Sequence, residues 1–152
     1  MPRSTAMDEG RVVCYFDGAC PSNQFRQKGP MRAAYVIGEE AFLRGVADCP
    51  TKDGAKRSNN IAEYQGLILL LQDLRGRERG APGKHAYLIC GDSQLILRQM
   101  TGEYRVKEPH LAVLREEARA LAQELDVRFR WVPRGSNRAG ELLETERFPP
   151  TR

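Results

Sequence analysis

From Val12 to Asp17 the chain runs through almost unbroken strand-forming residues, and Asp17-Gly18 closes the run with a turn signal. A polar stretch follows, Ala19 to Pro30, broken by Pro21, Gly29 and Pro30. Ala33 to Gly38 and Ala41 to Val46 read as two further strands joined by a tight turn near Glu39-Glu40, so the first three strands predict an antiparallel meander. The period then changes. Between Asn60 and Leu74, apolar residues fall at Tyr64, Leu67, Ile68, Leu71 and Leu74, the spacing of a helix, with Ser58, Asn59 and Asn60 as capping chemistry and Gly76 as the stop. Gly76 to His85 reads as a charged loop, Ala86 to Cys90 as a strand ending in Gly91-Asp92, and Ser93 to Met100 as a brief helix. Pro109 opens another helix, whose buried face is Leu111, Leu114, Ala118, Leu121, Ala122 and Leu125. Val127, Phe129 and Trp131 alternate with Arg128 and Arg130 as a half-buried strand with Trp131 in the core, and Asn137 to Arg147 forms a last helix. The order β-β-β-α-β-α-α-β-α predicts an α/β protein: a five-stranded mixed sheet, three antiparallel strands then two parallel, flanked by helices.

At 152 residues the chain suits one domain, expected over residues 11–147, with residues 1–10 and 148–152 as loose tails. A net charge of +4 permits a polyanionic partner without demanding one. No apolar run approaches the ~20 residues that cross a bilayer. Residues 1–11 hold Asp8 and Glu9 and no hydrophobic stretch, a poor signal peptide, so a cytoplasmic protein without a membrane partner is expected. Cys14, Cys20, Cys49 and Cys90 form no C-x-x-C pair and read as free thiols rather than zinc ligands.

Several acids stand where strands hand over to loops or helices. Asp17 closes the first strand and Asp92 the fourth; Glu63 lies in the first turn of the long helix, and Glu141 early in the last. Singly, each has a structural explanation: a turn residue, an N-cap, an acid at the positive end of a helix, a solvated surface acid. Together they stand where open α/β sheets build sites, at the carboxyl edge. If the first and fourth strands are neighbours, Asp17 and Asp92 repel, and a divalent cation relieves that repulsion. Oxygen donors alone select magnesium or manganese, and such a cluster suits phosphodiester cleavage with two ions.

The segments Phe16-Asp17-Gly18-Ala19-Cys20, Ser58 to Tyr64 and Asp92-Ser93-Gln94 resemble successive motifs of type 1 ribonuclease H. Gln99-Met100-Thr101-Gly102, Val106-Lys107, Trp131 to Arg134 and Asn137 extend the likeness from about Val12 to Leu143, and it is greatest to the compact branch that lacks a basic protrusion. The resemblance implies a ribonuclease H-like fold and metal-dependent hydrolysis of the RNA strand of an RNA/DNA hybrid, by a monomer holding two Mg2+ or Mn2+ ions. Asp17 would bridge both ions, Glu63 and Asp92 would hold the leaving-group ion, and Glu141, where the family carries Asp, would hold the ion that activates water. The extra methylene of Glu141 moves its carboxylate by about a bond length, and errors of ~1 Å are expensive in catalysis. By the same resemblance Asn23, Asn60 and Gln94 reach the minor groove, Ser58 grips a DNA phosphate with Asn59 as a nearby polar contact, and Arg105 and Lys107 touch the DNA strand. The family's mobile-loop histidine has no counterpart, which leaves Arg134 or Arg138 to assist product release. The insert Gln24 to Lys28 carries Arg26 and Lys28 and reads as a solvated loop, with an added phosphate contact as the alternative. The alternative on the same fold is a non-catalytic or weakly active nucleic-acid-binding module, and a structure-specific nuclease is a third reading.

Overall fold

Strand alternation sorts the first long strand onto two faces. A computed structural model of the chain describes residues 6–21, 29–80 and 85–145; Asn23, the Gln24–Lys28 insert and residues 148–152 lie outside them. The strands are β1 (Met7–Asp8), β2 (Arg11–Ala19), β3 (Met31–Ile37), β4 (Glu40–Val46), β5 (Ala86–Gly91) and β6 (Asp126–Trp131). The helices are α1 (Asn59–Glu78), α2 (Gln94–Met100), α3 (Pro109–Gln123) and α4 (Arg138–Thr145), with a 3-10 turn at Arg134–Ser136. The sheet order is β4-β3-β2-β5-β6, antiparallel through β4, β3 and β2 and parallel through β2, β5 and β6. Cys14 and Phe16 of β2 pack into the main core with Ile61, Leu67 and Leu71 of α1, while Tyr15 and Ala19 pack against the cluster of Ala34, Val36, Ala139 and Leu143. Helices therefore cover both faces, α1 and α3 on one and α4 on the other.

The sheet has six strands rather than the expected five. Met7–Asp8, read from sequence as tail, pairs antiparallel with Val12 and Arg11. Glu9 (φ 51°) and Gly10 (φ 77°) make the turn with two left-handed residues, and the Asp8 carboxylate meets the Arg130 guanidinium at 2.6 Å. A two-residue strand is too short to show alternation, and a glutamate is an unusual occupant of that turn position.

The long helix also outruns its expected end. Ser58 caps it as anticipated, its Oγ accepting from the Ile61 N–H at 3.1 Å. Gly76 does not stop it, because the last turn is fastened from outside. Arg77 donates to Asp73 at 2.9 Å and to Glu40 at 2.8 Å, and the buried Glu78 accepts from the Tyr87 hydroxyl at 2.8 Å. These contacts offset the ~1 kcal/mol that a helical glycine costs. Trp131, expected in the core, is 46% exposed at the end of edge strand β6. Its indole N–H donates to the Asp92 carbonyl at 3.0 Å, so the residue serves the carboxyl edge instead of the interior.

Candidate active site

Parallel pairing of β2 and β5 ends with Tyr15 opposite Cys90, so Asp17 and Asp92, each two residues further on, stand side by side where the two strands part. Asp17 does not close its strand as expected, because β2 stays paired with β3 through Ala19. The first turns of α1 lie directly on this edge. A β-carbon at Gly18 would stand 2.2 Å from the Ala62 carbonyl carbon, and one at Gly66 would stand 2.6 Å from the Asp17 carbonyl oxygen. Only glycine permits such backbone contact, and it delivers Glu63 to the pair. One carboxylate oxygen from each of Asp17, Glu63 and Asp92 falls within 4.8 Å of the others. The sequence motifs and the fold agree on these three.

The cluster is electrostatically strained. Burial, then the neighbouring Asp92 charge, push the Asp17 carboxyl up to about 6, against the opposing pull of a Gly18 backbone hydrogen bond and Arg134. Burial, then Asp17 and Asp92, push Glu63 up to about 8, again opposed by Arg134. Asp17 and Glu63 each raise the other's burden of charge, and a cation placed beside them would displace a proton. Every donor in the set is a carboxylate oxygen, which fits a hard divalent ion such as Mg2+ or Mn2+ and not zinc. The buried thiols Cys14 and Cys90 are pushed up to about 12 and about 11 by desolvation, which keeps them protonated core residues.

Asp92 is held by groups the motifs alone did not assign. Ser93, not Asp92, caps α2 by accepting from the Ile96 N–H at 3.2 Å, which leaves the Asp92 carboxylate available. Asn137 is fully buried, and its Nδ2 donates both to Asp92 Oδ2 and to the Phe16 carbonyl, each at 3.0 Å. Its Oδ1 accepts from the Ala139 N–H at 3.0 Å, so one side chain ties β2, Asp92 and the start of α4 together. An asparagine just ahead of a helix reads as an N-cap; its grip on Asp92 depends on a contact 45 residues away.

The remaining predicted residues divide. Gly140 packs against Asp17, a β-carbon there standing 3.0 Å from Oδ2. Glu141, the next residue, is exposed, and its carboxylate stands outside the set formed by Asp17, Glu63 and Asp92 among the described residues. Arg134 sits on the 3-10 turn close enough for its charge to act on Asp17 and Glu63. Arg138 instead donates to the Gly38 carbonyl at 3.2 Å, beside the β3–β4 turn. Asn59 accepts from the Cys20 N–H at 2.9 Å and ties the chain after β2 to α1. Gln94 is exposed at the first position of α2. Asn60, Arg105 and Lys107 line a groove of about 490 Å³ together with Gln99 and Tyr104. Ser58 lines a second groove of about 510 Å³ with Lys56, Arg57 and His110. Lys56 and Arg57 were not singled out from sequence, although two cations directly ahead of a helix cap are a readable sign of anion affinity.

The reverse transcriptase-like family matches residues 16–143. Bifunctional protein Rv2228c of Mycobacterium tuberculosis is 38% identical over 137 residues, covering 90% of this chain and 35% of its own length. The chain thus spans about a third of the length of the mycobacterial relatives it matches. Ribonuclease HI of Halobacterium salinarum is 31% identical over 140 residues, covering 90% of this chain and 64% of its own length. Among solved structures, LC11-RNase H1 in complex with an RNA/DNA hybrid superposes with a TM-score of 0.67 at 30% identity, covering 86% of this chain and 91% of that one.

Proposed function

The chain belongs to the reverse transcriptase-like family, among the type 1 ribonucleases H, and from that membership we propose that it hydrolyses the RNA strand of RNA/DNA hybrids. The observation that carries this reading is the convergence of Asp17, Glu63 and Asp92 on one sheet edge, oxygens within 4.8 Å. Asp17, Glu63 and Asp92, with Glu141 from α4, would hold two Mg2+ or Mn2+ ions. Such ions, when bound, lower the pKa of the attacking water and neutralise charge on the leaving oxygen.

The chain's own groups supply position. Asn137 and the Trp131 indole fix Asp92 from its side chain and its carbonyl. The contact of Gly18 and Gly66 with neighbouring backbone holds α1, and so Glu63, against Asp17. Asn60 and Gln94 offer neutral amides suited to 2′-hydroxyls and base edges, while Ser58, Lys56, Arg105 and Lys107 offer donors to phosphates along two grooves. Arg134, whose charge acts on the acid cluster, is the better placed of the two arginines to meet the cleaved phosphate. Hydrolysis would leave 5′-phosphate and 3′-hydroxyl ends.

A second reading, a weakly active or non-catalytic binding module, is favoured by one feature: Glu141 stands apart from the other carboxylates. Turnover decides between the two. Purified protein should cut hybrid RNA with Mg2+ or Mn2+, and Asp92→Asn should lose about 10³-fold or more of the rate. Hybrid binding without metal-dependent cutting would establish the module, and equal cutting by Asp92→Asn would place the chemistry elsewhere.

A further inference from the structure

Gln99 stands on the last turn of α2 and is only 4% exposed. The fully buried Tyr64 hydroxyl of α1 donates to its Oε1 at 2.6 Å. That hydroxyl has no other acceptor among the described residues, so its proton fixes which end of the amide faces it. Arg115 anchors the backbone of the same residue, its Nε donating to the Gln99 carbonyl at 2.7 Å. The Nε2 end has no protein partner among the described residues, and it is not sealed from solvent. The space Gln99 lines is the groove of about 490 Å³. We propose that Gln99 is a substrate-contacting residue whose Nε2 donates to an oxygen of the hybrid's sugar–phosphate backbone, with Tyr64 as the residue that positions it.

This role rests on the chain binding RNA/DNA hybrids. A nearly buried amide ordinarily satisfies both of its ends, so an idle donor at a groove marks a place for an acceptor. The other residues of the groove indicate which acceptor. Arg105 and Lys107 supply positive charge, and Leu95, Tyr104 and Leu111 supply an apolar wall for a sugar. The two carboxylates of the groove are engaged elsewhere, Glu103 with Arg98 and Glu108 with His110, each at 3.3 Å. Among such neighbours an uncharged donor adds direction rather than attraction. It selects one register of the strand along the groove, where the cations alone would accept many.

The test is hybrid binding by fluorescence anisotropy with Mg2+ present, each variant being made in the full Asp92→Asn chain so that nothing is cut. Gln99→Met keeps the volume and removes the donor, whereas Gln99→Glu keeps the shape and turns an acceptor to the groove. Each should weaken binding about tenfold, by the same factor on two hybrids of unrelated sequence. Gln99→Met should leave the salt slope unchanged, because no charge is removed. Tyr64→Phe frees the amide and should weaken binding about threefold. Melting curves come first, and if one Gln99 variant is unfolded at the assay temperature the other decides. Parent-like affinity in a folded Gln99 variant, while Lys107→Ala binds more weakly, would overturn the role of Gln99 and leave the hybrid reading standing. A loss on one sequence alone would put the contact on a base edge and overturn the backbone assignment. No hybrid binding by the Asp92→Asn chain itself would overturn the hybrid reading, and this role with it.

Discussion

Asp17 and Glu63 carry protons more tightly in the folded chain than free in water, and the sign of that preference has consequences. The carboxyls titrate at about 6 and about 8 instead of the ordinary 3.8 and 4.5, because burial and mutual repulsion disfavour their charges. The folded state therefore binds more protons than the unfolded state between about pH 4 and pH 8, and this contribution to stability is lost as pH rises through that window. Metal-free protein should melt at a lower temperature at pH 8 than at pH 5.5, and millimolar Mg2+ or Mn2+ should recover the loss at pH 8. Asp92→Asn, which removes a repelling charge, should flatten the pH dependence; an unchanged slope would show that repulsion is not its source. Asn137 gives a second expectation at this scale. Asn137→Ala strips a donor from Asp92 and from the buried Phe16 carbonyl and should cost about 2–4 kcal/mol in thermal or urea unfolding. Its rate should fall further than the unfolded fraction explains, whereas a proportional fall would make Asn137 structural only.

At the scale of elements, the contact between α1 and β2 builds the site, and glycine makes it possible. Gly18→Ala places a carbon 2.2 Å from the Ala62 backbone, where nothing flexible can yield, so α1 must move. The expected cost is about 3 kcal/mol or more, with hybrid cleavage lost even at temperatures where the variant stays folded. Circular dichroism melts beside rate measurements separate the two effects. The elements also divide by how legible they were in the sequence. Glu63 and Asp92 were readable because each opens or closes an element with its own local signal. Asp17 carried a turn signal with Gly18, although β2 runs on to Ala19 in its pairing with β3. The pairing of β2 with β5 was a condition that only the structure met. The Gly18 and Gly66 contacts were not readable, since a glycine after a strand also reads as a turn. The full length of α1 was hidden because Arg77 and Glu78 are fastened by Glu40 and Tyr87, partners distant in sequence. The β1 hairpin left no period to detect, and Trp131 followed a strand alternation that fails where β6 ends at the sheet's rim.

Across the whole molecule, two adjoining grooves that share Glu108 carry cations. Arg105 and Lys107 line one, Lys56 and Arg57 the other, and the N-terminus of α1 stands between them. Lys107→Ala and Lys56→Ala should each weaken hybrid binding while reducing the slope of log K against log salt by about one. A loss of affinity with unchanged salt slope would mean these side chains do not meet phosphates. The most direct measurement is a cleavage panel of RNA/DNA hybrid, duplex RNA, duplex DNA and single strands, each with Mg2+, Mn2+ or chelator, comparing the parent chain with Asp92→Asn. Cutting confined to the RNA of the hybrid, dependent on a divalent ion and lost in Asp92→Asn, is the predicted result. Cutting that persists in chelator, or that shows no preference for the hybrid, would contradict it.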